Sequence, residues 1–510
     1  MQVPTLFMAL IFVSRLIFKK YLPFSDLKYT INFLIKIKEG EIMNWWQEEF
    51  KAIDLGDKRL NTRATNLLKS LGRSPGESIP SSCGGWEETK SAYRFFENQN
   101  VTVENILVPH QKATIERIKK HQVVLFIQDT STLNYTSQKQ RKDIGPINRD
   151  NTKGIFIHPT LAVTPERLCL GIVDHYQWSR KELAHKDSKE RSRLNHLRKP
   201  EDKESYRWVK SYQKASEYAR QLKDTLVVSV GDREADLYEL YHEAQQEVAE
   251  GSAHWLIRSS YDRWVVDEKN KQKKLIATVK KSGELGAISF ELPASNGQPK
   301  RLVEQVLYAK RVKLKPSSRK QKAGYAPVDV NIIIATELNP PHGKKPLEWI
   351  LCTSIFVDNF EKASELIQWY LCRWQIEIYF KILKSGCKIE KLALTEKKRF
   401  DACLALYMII AWRILYITML GRENPDVPCD CVFDVKEWQT VYIVFYKKKP
   451  PKKPPKLNDM VKMIASLGGF LNRKNDGEPG PQTMWIGMRN MYEHVRARLA
   501  FEDAFGQTYG

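Results

Sequence analysis

The stretch Gln122-Val-Val-Leu-Phe-Ile-Gln-Asp129 decides the fold, because it is an apolar run that stops abruptly at an acid. A continuous run of this length, rich in β-branched residues, predicts a strand buried on both faces. The same arrangement recurs at Thr225-Leu-Val-Val-Ser-Val-Gly231-Asp232. Side chains at strand ends face crevices, so both aspartates are candidate functional residues. Either one alone is more typical of a turn or a helix cap.

The residues around these two runs predict an α/β fold. Further strands are expected at 155–163 and 168–173, joined as a hairpin across the turn at Pro165. Helical spacing follows at 206–222, and residues 259–345 alternate like strands with turn signals between them. The alternation of strands and helices therefore predicts a mostly buried sheet with a β-rich insertion.

A third acid lies in a helix predicted over 361–384. The four residues with strong chemistry there are Tyr370, Arg373, Glu377 and Lys384, at steps of three, four and seven positions. At about 3.6 residues per turn those steps return to one side of a helix. A carboxylate flanked by cations and a phenol suits a metal-bound phosphodiester. The same pattern is also typical of an amphipathic surface helix with an Arg–Glu pair at i,i+4.

The order of the three acids matches a ribonuclease-H-like domain, in which a meander and a helix precede the second acid and a later helix carries the third. Three converging carboxylates repel one another unless divalent cations neutralise them, so their convergence implies metal. Two such ions activate the attacking hydroxyl and stabilise the leaving oxygen of an in-line phosphoryl transfer.

The composition predicts a polyanionic partner. Lysine and arginine number 82 against 60 acidic residues, which gives a net charge of +22. Nucleic acid is the usual partner of such a protein, although a basic solvated surface without a specific partner has the same composition. The eight cysteines form no CxxC pair, and we interpret them as packing residues in a reducing cytoplasm.

Two motifs carry a family resemblance. The pattern Y-x2-R-x3-E-x6-K is satisfied by Tyr370, Arg373, Glu377 and Lys384, and a DREAD block stands intact at Asp232-Arg233-Glu234-Ala235-Asp236. With these motifs the chain resembles the bacterial DDE transposases of the insertion-sequence-four family, a hairpin-forming cut-and-paste type. The resemblance covers residues 44–400 and is less specific beyond them.

The resemblance implies that Asp129, Asp232 and Glu377 are the catalytic, metal-binding triad, with Mg²⁺ as the cofactor and Mn²⁺ able to substitute. It also implies DNA-binding roles for five further residues. Three of them are expected to contact phosphates near the transposon end, namely Tyr370, Arg373 and Lys384. Trp349 matches a tryptophan that stacks on a flipped base, although a buried core tryptophan is the competing interpretation. Arg258 matches an arginine that touches DNA.

The sequence and the resemblance together predict six segments. Translation is expected to start at Met43, which would make the preceding residues an extension that is not native. The segments are: extension, 1–42; helical DNA-end-binding domain, 43–115; first part of the catalytic core, 116–258; β-rich insertion, 259–350; core helix with the third acid, 351–395; helical dimerisation region, 396–510.

The expected function is a transposase that cleaves DNA at transposon ends and joins those ends to target DNA, as a homodimer in the bacterial cytoplasm at the nucleoid. The alternatives are a ribonuclease-H-like structure-selective nuclease and an inactive DNA-binding relic. No membrane is expected. The apolar segment Ala402–Leu420 is long enough to span one, but Arg413 near its middle favours a buried core or dimer helix.

Overall fold

The structure is a computed structural model that describes residues 44–148, 151–181, 190, 193, 197–247, 251–267, 269, 271–292, 301–474 and 476–506. The predicted 1–42 extension and the start at Met43 lie outside the described residues. The described chain forms two compact units. The first contains 122–129 and most of 186–373, and the second contains the N-terminal helices, most of 130–185 and the C-terminal region from 374.

The strands and helices are numbered here in chain order. The strands are β1 Val123–Gln128, β2 Ser131–Asn134, β3 Gly145–Pro146, β4 Lys153–Val163, β5 Cys169–Trp178, β6 Leu226–Gly231, β7 His254–Arg258, β8 Trp264–Val266, β9 Gln272–Lys274, β10 Gly286–Leu292, β11 Arg301–Leu314, β12 Val328–Glu337 and β13 Glu348–Thr353. The helices are α1 Trp45–Glu49, α2 Lys58–Arg73, α3 Ile79–Cys83, α4 Trp86–Glu97, α5 Val103–Ile118, α6 Arg207–Gln221, α7 Tyr238–Glu247, α8 Leu275–Lys280, α9 Ser318–Lys322, α10 Phe360–Leu371, α11 Trp374–Lys381, α12 Lys397–Glu423, α13 Val435–Tyr446, α14 Leu457–Leu467 and α15 Pro481–Phe505.

The first unit is built on a mixed sheet. Its strands follow the order β1-β6-β7-β13-β12-β11-β8-β9, with β10 paired to β11. The pairs β1/β6 and β6/β7 are parallel, and the later pairs are antiparallel. The apolar residues of β1 and β6 are almost completely buried, as strands covered on both faces require. The predictions of two strands at these places and of a β-rich stretch after 258 are confirmed.

The second unit combines a small sheet with helices. β4 pairs with β2, β3 and β5, and the β4–β5 hairpin turns at Thr164–Leu168, which confirms the predicted hairpin. The N-terminal and C-terminal regions are helical, also as predicted. Residues 397–423 form one helix that is apolar and long enough to cross a membrane, but 89% of its most apolar window is buried inside the protein. It serves as a core helix here, because it packs against α2, α4, α5 and β5.

The prediction of one helix over 361–384 is wrong. α10 ends at Leu371, and α11 begins only at Trp374. At the junction the amides of Cys372 and Arg373 bond three residues back, to Trp369 and Tyr370, which tightens the helical turn. A π-helical turn, Ile382–Gly386, then follows α11 and carries Lys384. Spacing alone could not reveal these breaks, since the apolar pattern continues through both of them.

A buried ion network joins α1 to α5 and β5 in the second unit. The Glu49 carboxylate accepts hydrogen bonds from Arg117 Nη1 and His110 Nδ1, both at 2.6 Å. The Ile172 amide donates to Nε2 of His110 at 3.0 Å, so His110 is neutral with its proton on Nδ1. Burial alone would raise the pKa of Glu49, but Arg117 and His110 outweigh it and lower this pKa to about 2. Glu49 therefore stays ionised inside the protein.

We expect Glu49→Gln to lower the free energy of unfolding by about 3–5 kcal/mol at pH 7, because it leaves the largely buried Arg117 without its carboxylate. The folded-state pKa of Glu49 lies below its unfolded value, so its contribution is present above pH 4.5 and is lost as the pH falls toward 2. The difference in the free energy of unfolding between wild type and Glu49→Gln, measured by urea denaturation, should therefore narrow as the pH falls from 4.5 toward 2. The control is Glu116→Gln, an exposed partner of Lys119, which should change stability by less than about 1 kcal/mol. Equal effects of the two substitutions would contradict this account.

Candidate active site

The site begins with the register of β1 on β6. Ile127 pairs with Val230 in parallel, so the next two positions bring Asp129 level with Asp232 just beyond the strand ends. Neighbouring strands lie about 4.8 Å apart, which sets the two aspartates side by side. Gln128 Nε2 also donates to Ser229 Oγ at 2.6 Å across the same pair of strands. The structure thus brings together the two acids that the sequence singled out.

Arg373 forms an ion pair with Asp129. Its Nη1 donates to Oδ2 of Asp129 at 2.9 Å, and the arginine is only 7% exposed. The Asp129 side chain retains 19% of its exposure, so solvent reaches the carboxylate from one side. An arginine expected to bind phosphate is therefore the counter-ion of a predicted metal ligand in this structure.

Tyr370 and Arg258 complete this group within the first unit. Burial raises the pKa of the Tyr370 phenol, and the nearby Arg373 and Arg258 oppose that rise. The charge of Asp232 also raises the pKa of this phenol. Burial lowers the pKa of Arg258, and its hydrogen bond with Tyr370 counters this. Two acids, two arginines and a protonated phenol thus share one region at the ends of β1 and β6.

The three acids of the DREAD block have different partners. Asp232 caps a short 3-10 helix, Arg233–Ala235, by accepting from the Glu234 amide at 2.8 Å. The Glu234 carboxylate is 62% exposed and pairs with Arg207. Asp236 is buried. Its carboxylate accepts bonds from four residues: Tyr241, Ser259, Ser260 and Arg263.

Gly231 makes this turn possible. A Cβ added there would lie 2.4 Å from the Cβ of Ala235 and 3.3 Å from the ring of Trp208. The last residue of β6 must therefore be glycine for the DREAD turn to fold back against the strand. This requirement is not among the predictions from the sequence, and neither are the roles of Arg207 and Arg263. The sequence around a single glycine or arginine does not indicate which acidic residue it will contact in the folded protein.

The remaining predicted site residues lie elsewhere. Glu377, in α11, and Lys384, in the π-helical turn, belong to the second unit, and both are half-buried. Burial lowers the pKa of Lys384, and Glu390 opposes this effect. Trp349, on β13 of the first unit, is 6% exposed and is stacked on Phe290 with ring centroids 6.1 Å apart. One face of its indole is therefore covered by protein.

The donor set at the strand ends suits a hard divalent cation. Asp129 and Asp232 present carboxylate oxygens, which Mg²⁺ and Mn²⁺ prefer to nitrogen or sulfur. Within the residues that the structure describes, no three or more His, Cys, Asp or Glu side chains are grouped so that they could hold a metal ion. The first unit thus supplies two carboxylates, and one of them is engaged by Arg373.

Comparison with protein-family models decides the class of the protein. Residues 42–101 match a transposase DNA-binding domain, 213–412 a transposase DDE domain and 409–504 a transposase Tn5 dimerisation domain. The chain is a DDE transposase. The DNA-binding match covers α1 to α4 of this transposase, and the dimerisation match runs from within α12 to α15. The DDE match contains Asp232 and Glu377 and begins after Asp129.

The contrast within the DREAD block of the transposase yields a stability prediction. Asp236→Asn leaves Arg263 without its buried counter-ion, so we expect a loss of about 3–5 kcal/mol in the free energy of unfolding. Glu234→Gln disrupts a largely exposed pair and should cost less than about 1 kcal/mol. Urea denaturation of both variants measures the difference. Similar losses in the two would show that the Asp236 network is not structural.

Proposed function

We propose that this transposase belongs to the insertion-sequence-four family and carries a ribonuclease-H-like core. It cleaves DNA at transposon ends through a hairpin intermediate and transfers the freed strands to target DNA. The observation that carries the proposal is the parallel register that sets Asp129 beside Asp232, with Arg373, Arg258 and Tyr370 around them. Acids next to cations at a strand end suit a phosphodiester that must be both bound and activated.

In this proposal Asp129, Asp232 and Glu377 hold Mg²⁺, with Mn²⁺ as a substitute. When bound, the metal supplies Lewis-acid stabilisation and lowers the pKa of the attacking hydroxyl. Arg373 and Arg258 neutralise the charge of the phosphate, and arginine suits this role because its planar fork matches two phosphate oxygens. The raised pKa of Tyr370 keeps its phenol protonated, so it donates a hydrogen bond to a phosphate oxygen rather than repelling it.

Lys384 and Trp349 also contact DNA in this proposal. Lys384 contacts a phosphate further from the cleavage point as a point charge. Trp349 stacks on the base that leaves the helix when the hairpin forms, and because the residue is 6% exposed, this role requires the protein around the indole to open when DNA binds. The protein works as a homodimer on two transposon ends in the bacterial cytoplasm, at the nucleoid. The matched DNA-binding and dimerisation domains support both partners.

The triad is tested by single substitutions. Asp129→Ala, Asp232→Ala and Glu377→Ala should each reduce Mg²⁺-dependent cleavage of end-bearing DNA by at least about a thousand-fold, because loss of one carboxylate removes a metal ligand. Binding of the same DNA, measured by gel shift in EDTA, should stay within a few-fold of wild type. Cleavage at the wild-type rate by any one variant would remove that residue from the triad.

Strand transfer separates this function from the two alternatives. Pre-cleaved transposon ends incubated with a supercoiled plasmid and Mg²⁺ should become covalently joined to it. A structure-selective nuclease would cut DNA without an inverted repeat and would join nothing. A DNA-binding relic would bind the ends without any turnover. The joined product is scored on a denaturing gel, with Asp232→Ala as the inactive control.

A further inference from the structure

A second basic surface lies in the first unit, on one face of β11, β8 and β9. Lys313 pairs with Val266 and Leu314 with Val265, and the Lys315 amide donates to the Trp264 carbonyl at 2.8 Å. Directly opposed residues project to the same side of a sheet, and successive residues alternate. Leu314 and Val265 are buried, so their neighbours along each strand face outward. The β11 basic face consists of Arg311, Lys313, Lys315, Trp264 and Lys274.

The charges of this face are almost all of one sign. Lys274, on β9, lies opposite Trp264, and its Nζ is 4.4 Å from the centre of the indole ring. Trp264 is 48% exposed. Asp329 also lies on this face, opposite Lys313, and its carboxylate is 4.0 Å from the Arg311 guanidinium. Lys313 and Lys315 form no ion pair within the part of the chain that the structure describes. Their charges are therefore available to an outside anion.

The dimensions suit a duplex. Arg311, Lys313 and Lys315 lie two residues apart, so the row spans about 14 Å at 3.4 Å per residue. That length matches about four base pairs of DNA axis, along which each strand carries one phosphate per 3.4 Å. The face is also fixed to the catalytic region, because Arg263, directly before Trp264, is bonded to Asp236 of the DREAD block.

We propose that the β11 basic face binds the target DNA duplex through its phosphates, without regard to base sequence. This inference rests on the proposed function, in which target DNA is a substrate. Transposon ends have to be selected by sequence, and the matched DNA-binding domain at 42–101 is the element for that task. Target DNA needs only to be held. Lysines and an arginine on a sheet face supply charge to phosphates rather than contacts to base edges.

The test is the triple variant Arg311→Gln, Lys313→Gln, Lys315→Gln. Its affinity for a duplex of arbitrary sequence should fall at least about ten-fold at low salt. The slope of log affinity against log salt should become shallower by about 2.7, or 0.9 for each lost phosphate contact. Joining of pre-cleaved ends to a plasmid should fall in parallel, while cleavage of end-bearing DNA stays within about two-fold of wild type.

The matched control is Lys119→Gln, Lys120→Gln, Lys223→Gln, which removes the same charge from three exposed lysines ahead of β1 and β6, at the strand ends away from Asp129 and Asp232. It should retain binding and joining. The proposal is overturned if the β11 variant captures target like wild type, if its end cleavage falls as much as its joining, or if the control loses as much. Wild type that binds arbitrary duplex but cleaves no ends would contradict the proposed function instead. Thermal unfolding of both variants verifies that they fold.

Discussion

The parallel pairing of β1 with β6 is the constraint on which the site depends. A shift of one residue in that register would turn every buried side chain of one strand to its other face. The core of both strands is apolar, so the register is fixed by packing and the two aspartates at the ends are fixed with it. The burial of the two apolar strands therefore offsets the electrostatic repulsion between the two carboxylates at their ends.

Much of this arrangement follows from the sequence, because apolar runs that stop at an acid predict both the strands and the partly exposed aspartates that follow them. The direct pairing of β1 with β6 does not follow, since about a hundred residues separate them. The single helix predicted over 361–384 is divided in the structure at Cys372 and Arg373. Its apolar spacing continues through Cys372 and Arg373, and the tightened turn depends on local hydrogen bonds that no spacing pattern encodes.

The DREAD block shows why motif letters do not assign roles. Its acids lie within five residues, yet one caps a turn, one pairs at the surface and one is buried among four donors. The donors of Asp236 come from residues 241 to 263, so only the folded chain separates a structural acid from a predicted catalytic one. Trp349 illustrates the same limit: its stacking on Phe290 is a contact between distant strands.

The ion pair between Arg373 and Asp129 has a consequence for the order in which ligands bind. Under the proposed function Asp129 is a metal ligand, so the guanidinium of Arg373 and a metal ion would compete for the same carboxylate. A phosphate offers Arg373 another anion and releases Asp129. By thermodynamic linkage each ligand would then promote binding of the other, so the proposed function implies that metal and DNA bind cooperatively. Under the proposed function, this ion pair would keep Asp129 from the metal until DNA is bound.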